Sequence, residues 1–172
     1  MCYSIGKGKQ AEEKETALST RCVTIVRQRT YWDKDNPEIE ELCRFYRHCD
    51  GYPEGHGRDI ADAILESSDH APYCESWSQN VLAKLFAKNA CMELEGHDAR
   101  HGDLEFIYVI EGSEHRYYGA NEADEVLMHV YSGWDSSYDD FMSEKHPIFS
   151  GHADEYIEWL VGGYESWIEA IG

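Results

Sequence analysis

From Cys22 onward the positions Cys22, Thr24 and Val26 alternate with Val23, Ile25 and Arg27 in a run rich in β-branched side chains. That β-branched run predicts a strand. The cluster DKDNPE breaks it, and from Glu41 the segment LCRFYRHC alternates again, with Cys43 and Phe45 on one side and Arg44, Tyr46 and His48 on the other. An antiparallel pair is expected, with Asn36 and Pro37 as the competing start of a short helix. Beyond a glycine-rich stretch the period lengthens. Ile60, Ala61, Ile64 and Leu65 form one helical stripe, and Val81, Leu82, Leu85, Phe86 and Met92 form a second, expected to run to Gly96. In LEFIYVIEG, Leu104, Phe106, Tyr108 and Ile110 are expected to face one way and Ile107 and Val109 the other; HRYYG and EVLMHVYSG read as two further strands. Residues 135–149 read as a polar loop. In the closing segment, Ile157, Leu160, Val161, Tyr164, Ile168 and Ile171 mark the buried face of a terminal helix, which Gly162 and Gly163 should bend or bring close to another backbone. The order β-β-α-α-β-β-β-α predicts an α+β domain, a mostly antiparallel sheet of about five strands with helices packed on one face. Residues 1–19 show no period and read as a mobile or loosely docked arm ahead of a single domain, 20–172.

Composition changes little in that picture, but charge adds to it. At 172 residues and 42% hydrophobic, the chain can bury a core without staples. Its six cysteines are scattered with no C-x-x-C pair, so reduced thiols are expected. No run of 18 apolar residues exists and the first residues lack the apolar core of a leader, so a soluble cytoplasmic protein with no membrane contact is expected. The net charge is −19, and it is uneven: residues 1–60 carry 10 basic and 11 acidic side chains, residues 61–172 carry 5 and 23. A sustained anionic surface disfavours direct nucleic-acid binding, which draws on clustered Lys and Arg. It fits a basic protein partner, although solubility alone also accounts for such a charge.

The densest polar segment is YRHCDGYPEGHG, residues 46–57. A turn accounts for Asp50, Gly51 and Pro53. It leaves Tyr46, Arg47, His48 and Tyr52 unexplained, and these side chains suit a nucleotide-like ligand held by charge-assisted hydrogen bonds and stacking. On that reading Arg47→Ala should abolish binding and leave the melting temperature nearly unchanged. Phosphate-loop patterns are absent, and Asp50, Glu54 and Asp59 would repel an anion. The string Tyr46-Arg47-His48-x-Asp50-Gly51-Tyr52-Pro53-Glu54-Gly55 resembles the signature of a functionally uncharacterised group of small proteins encoded in bacteriophages and bacterial genomes. The resemblance implies a phage or prophage setting, hence the cytoplasm of a host cell, and no activity.

No cofactor, metal or catalytic residue is expected. His97 and His101 have helical ligand spacing, but HDARH lacks the metalloprotease pattern. Cys43 and Cys49 should point away from His48 on a strand, which disfavours a zinc site with His56. His48 with Asp50, or Cys49 with a histidine base, has the residue types of an enzyme without an evident activating environment. On the terminal helix Asp154, Glu158, Glu165 and Glu169 fall within about 60° of one another, a carboxylate row about 22 Å long that could imitate a phosphate track. Tyr156, Trp159 and Trp167 lie outside the central apolar stripe, where aromatics would suit a protein contact. The expected function is therefore an acidic, phage-type inhibitor that occupies a basic, nucleic-acid-binding surface of a host protein, such as one in a defence complex. The alternative is the small-ligand binder.

Overall fold

The computed structural model describes residues 20–68, 77–89, 91–99, 101–116, 125–132 and 147–164. Two long strands, β1 (Cys22–Tyr31) and β2 (Pro37–Arg47), form the expected antiparallel hairpin, and Pro37 opens β2 rather than a helix. One turn of π-helix (Pro53–Gly57) leads into α1 (Arg58–Ser68). Then follow α2 (Trp77–Lys88), β3 (Met92–Glu95), β4 (Phe106–His115), β5 (Val126–Ser132), β6 (Phe149–Gly151) and α3 (Ala153–Gly162). The sheet has six strands in the order β3-β2-β1-β4-β5-β6. Among the described residues only the β1–β4 pair at its centre is parallel. The α+β class holds, with more strands than the sequence suggested.

Both faces of β1 and β4 are buried, which is why their apolar runs are nearly continuous. Cys22, Val26, Phe106, Tyr108 and Ile110 pack with α1, α2 and α3 in the larger core, whereas Val23, Ile25, Ile107, Val109 and Tyr131 form a second cluster on the opposite face. Leu104 belongs to that second cluster, not beside Phe106 and Tyr108 as alternation suggested, because it precedes the strand and is not bound by its pleat.

Four further expectations change. The second helix ends at Lys88, and MELE forms β3 against β2. His115 closes β4 instead of opening a separate strand, and residues 117–119 of HRYYG lie outside the described residues. Phe149, assigned to a polar loop, begins β6, and its ring is buried against Tyr156 at 5.0 Å. Finally, α3 buries Ala153, Tyr156 and Leu160, while Val161 is 77% exposed. Tyr156 is thus core rather than contact surface, and Trp159 packs half-buried against Phe149, Tyr156 and Tyr164. The helix stops at Gly162, with Glu155 accepting the His152 backbone N–H at 2.8 Å to satisfy its first turn.

Candidate functional site

The segment at 46–57 sits where five elements meet, and most of its polar groups are used there. Asp50 adopts φ +56°, the left-handed region that a short polar side chain tolerates. Gly51 then passes so close to β1 that a Cβ would lie 2.8 Å from Cys22 Sγ and 2.9 Å from the Thr20 carbonyl. That contact admits only hydrogen. The Gly51 N–H donates to Thr20 O at 2.9 Å, and its carbonyl accepts the buried Tyr108 hydroxyl at 2.7 Å. In the π turn, the Pro53 carbonyl accepts the hydroxyl of Tyr156 from α3 at 3.0 Å, and a Cβ on Gly57 would overlap that hydroxyl.

His56 is fully buried beneath this turn. Its Nδ1 lies 3.2 Å from Arg47 Nη1, and because a guanidinium only donates, Nδ1 accepts and Nε2 donates to Thr24 Oγ1 at 2.7 Å. Burial, reinforced by the Arg47 charge, lowers the His56 pKa to about 3, so the ring is neutral. Arg47, with an 11% exposed side chain, also donates from Nε to the Cys49 carbonyl at 2.6 Å and from Nη1 to Asn89 Oδ1 at the end of α2. Asp50 and Asp59 stand 3.9 Å from the guanidinium. The sequence named His56 only as a metal or base candidate; Thr24 and Asn89 carried no signal, since their partners lie 32 and 42 positions away.

The other residues of the ligand reading separate from Arg47. Tyr46 is buried on the opposite sheet face, stacked on His101 with centroids 3.9 Å apart and edge-on to His48 at 4.5 Å. His48 is exposed and 3.3 Å from Glu93. The Tyr52 ring covers Gly55, and Asp50 points to solvent. Tyr46, Arg47, His48, Asp50 and Tyr52 therefore do not converge on one cavity. Among the described residues no group of His, Cys, Asp and Glu has metal-binding geometry. Burial raises the Cys22 thiol pKa strongly and that of Cys43 to about 11, which opposes a thiolate at either.

A second polar set went unread in the sequence. Glu111 of β4 is buried between Arg27 and Arg29 of β1, with Arg29 Nε at 2.6 Å and Arg27 paired to the other carboxylate oxygen. Burial pushes its carboxyl upward, but the Arg29 hydrogen bond and both arginine charges outweigh it and hold the pKa low. Beside it His129 Nδ1 meets Ser150 Oγ at 2.8 Å, the residue types of a nucleophilic triad. The relay is broken: His129 Nε2 is buried without a hydrogen-bond partner, and Glu111 is committed to two arginines.

The acidic face of α3 is different in kind. Asp154 and Glu158 are both exposed, one turn apart, on the side away from Tyr156 and Leu160. Glu165, Trp167 and Glu169 lie outside the described residues. Asp154 also borders a cleft of about 430 Å³, shared with Glu155, with Glu125 and Val126 at the start of β5, and with Ile64 and Leu65 of α1. Its lining combines carboxylates with apolar side chains. Among the described residues no helix is long and apolar enough to cross a membrane. Compared with family models, curated proteins and solved structures, the chain matches none.

Proposed function

We propose that this protein is a non-enzymatic, acidic interaction protein that occupies a basic, nucleic-acid-binding surface of another protein through the outer face of α3. One observation carries the reading: Asp154 and Glu158 stand exposed on a helix whose opposite side is buried, in a chain of net charge −19. The cleft beside Asp154 suits the partner's Lys or Arg, whose aliphatic stem would lie on Leu65 and Val126 while its head reaches the carboxylates. The phage setting implied by the Tyr46–Gly55 resemblance makes a host defence complex a fitting target. The ligand reading gains no support, because the Nε and Nη1 donors of Arg47 are taken within the protein.

The test is capture of partners from nuclease-treated host lysate on immobilised protein, with duplex DNA as competitor. A partner displaced by DNA, weakened by salt, and lost when Asp154, Glu158, Glu165 and Glu169 are replaced by Ala supports the proposal. Unchanged association rate and salt dependence in that variant would overturn it.

A further inference from the structure

Strand β3 closes one end of the sheet, and among the described residues its outer edge pairs with nothing. Its two faces differ. Leu94, in register with Phe45, lies on the helix side and is 72% exposed. Next to it the half-exposed Phe86 ring meets Phe45 edge-on at 5.0 Å. Glu93 and Glu95, in register with Tyr46 and Arg44, lie on the other face. Glu93 is largely exposed. His101 holds Glu95 Oε1 at 2.6 Å, while Glu95 Oε2 is buried with no hydrogen-bond partner. Arg44, the cation across from Glu95, directs Nε and Nη2 to Glu41 and Nη1 to the Ala99 carbonyl.

An open strand edge offers backbone N–H and C=O groups to any strand whose side chains suit its two faces. A second copy of this chain does not suit them. Any register that keeps equivalent faces together sets glutamate beside glutamate, and a slip by one residue sets glutamate beside Leu94. The edge is guarded against itself, yet it leaves Leu94 and Phe86 uncovered. We infer that the outer edge of β3 docks an extended segment of another protein whose side chains alternate between basic and apolar. The basic side chains meet the carboxylate face, above all the exposed Glu93; the apolar ones extend the patch of Leu94 and Phe86. The edge is built from other elements than the acidic face of α3 and stands without that reading.

The measurement is isothermal titration of the full chain with a capped six-residue peptide alternating Lys and Val, against a peptide of equal composition in which the lysines precede the valines. The alternating peptide should bind at least about ten-fold more tightly, since only it matches both faces at once. Leu94→Lys and, separately, Glu93→Lys should each weaken it about ten-fold with an unchanged melting temperature, both positions being exposed. Replacing Asp154 and Glu158 by Ala should leave it unaltered. Equal binding of the two peptides, no binding of the alternating one, or indifference to both β3 variants would overturn the inference.

Discussion

The segment 46–57 and the first turns of α3 are both rich in polar residues, and they use them in opposite directions. In the first, Arg47 and His56 turn inward, bond to each other, and tie the segment to other elements through Thr24 of β1 and Asn89 after α2. In the second, Asp154 and Glu158 turn outward while a tyrosine from the same helix reaches back to the Pro53 carbonyl. A chain that must bend sharply beneath a sheet exposes backbone groups to the interior, and buried polar groups have to be paired. The side chains that pair them belong to folding. Polar density alone does not separate such a requirement from a site; the direction of the side chains does.

The contrast is open to attack from its stronger side first. Arg47→Ala would strand His56, Asn89 and the Cys49 carbonyl, and should cost about 3 kcal/mol. In a chain of this size that lowers the melting temperature by about 6–12 °C. A melting temperature that stays put would return Arg47 to the role of a ligand-binding residue. Gly57→Ala, which drives a methyl group into the Tyr156 hydroxyl, should cost about 2 kcal/mol by overpacking, read in the same thermal melts.

Acid sharpens the comparison further. The folded His56 pKa, about 3, lies below the ordinary 6.5, so its contribution to stability is complete above pH 6.5 and is lost as pH falls. Between those values the unfolded chain takes a proton that the folded one refuses, a loss of about 1.4 kcal/mol per pH unit. The window from 6.5 to 4.5 isolates histidine, because the depressed Glu111 carboxyl adds its loss only below its ordinary 4.5. Denaturant titrations should show His56→Gln flattening this slope, with His129, also depressed by burial, keeping the remainder. The smallest effect belongs to α3. Asp154→Ala with Glu158→Ala should move stability by no more than about 0.5 kcal/mol, since a lost dipole interaction is offset by better helix propensity. A larger shift would make these acids part of the fold as well.

How far the sequence could be read depended on whether a pattern was local. The strands β1 and β4 and the helix α1 announce themselves because each buries a continuous or periodic run. MELE did not, since Met92 continues the spacing of Leu82 and Leu85, and only pairing with β2 makes it a strand. Tyr156 reads as surface because it lies outside the apolar stripe of its helix; the acceptor that holds its hydroxyl in the core lies 103 positions away. Glu111 carries no local signal, since only the parallel register sets it against Arg27. Arg44 and Glu41 are a subtler case. The register shift between Val26 and Arg27 makes Leu42 an extra residue in β2, which brings both side chains to one face of the sheet and allows their two hydrogen bonds.

The parallel pairing of β1 with β4 carries a consequence for how the molecule is made. The residues it joins, such as Arg29 and Glu111, lie 82 positions apart. At a synthesis rate of about 5–20 residues per second, β1 leaves the ribosome about 4–16 s before its central neighbour exists. The hairpin with β2 can close at once, but the remaining edge of β1, lined by Val23, Ile25 and Val26, must wait unpaired. The nascent chain therefore carries an adhesive strand exposed throughout that interval, and the time before β4 emerges is when a chaperone, or a misplaced strand, has its opportunity.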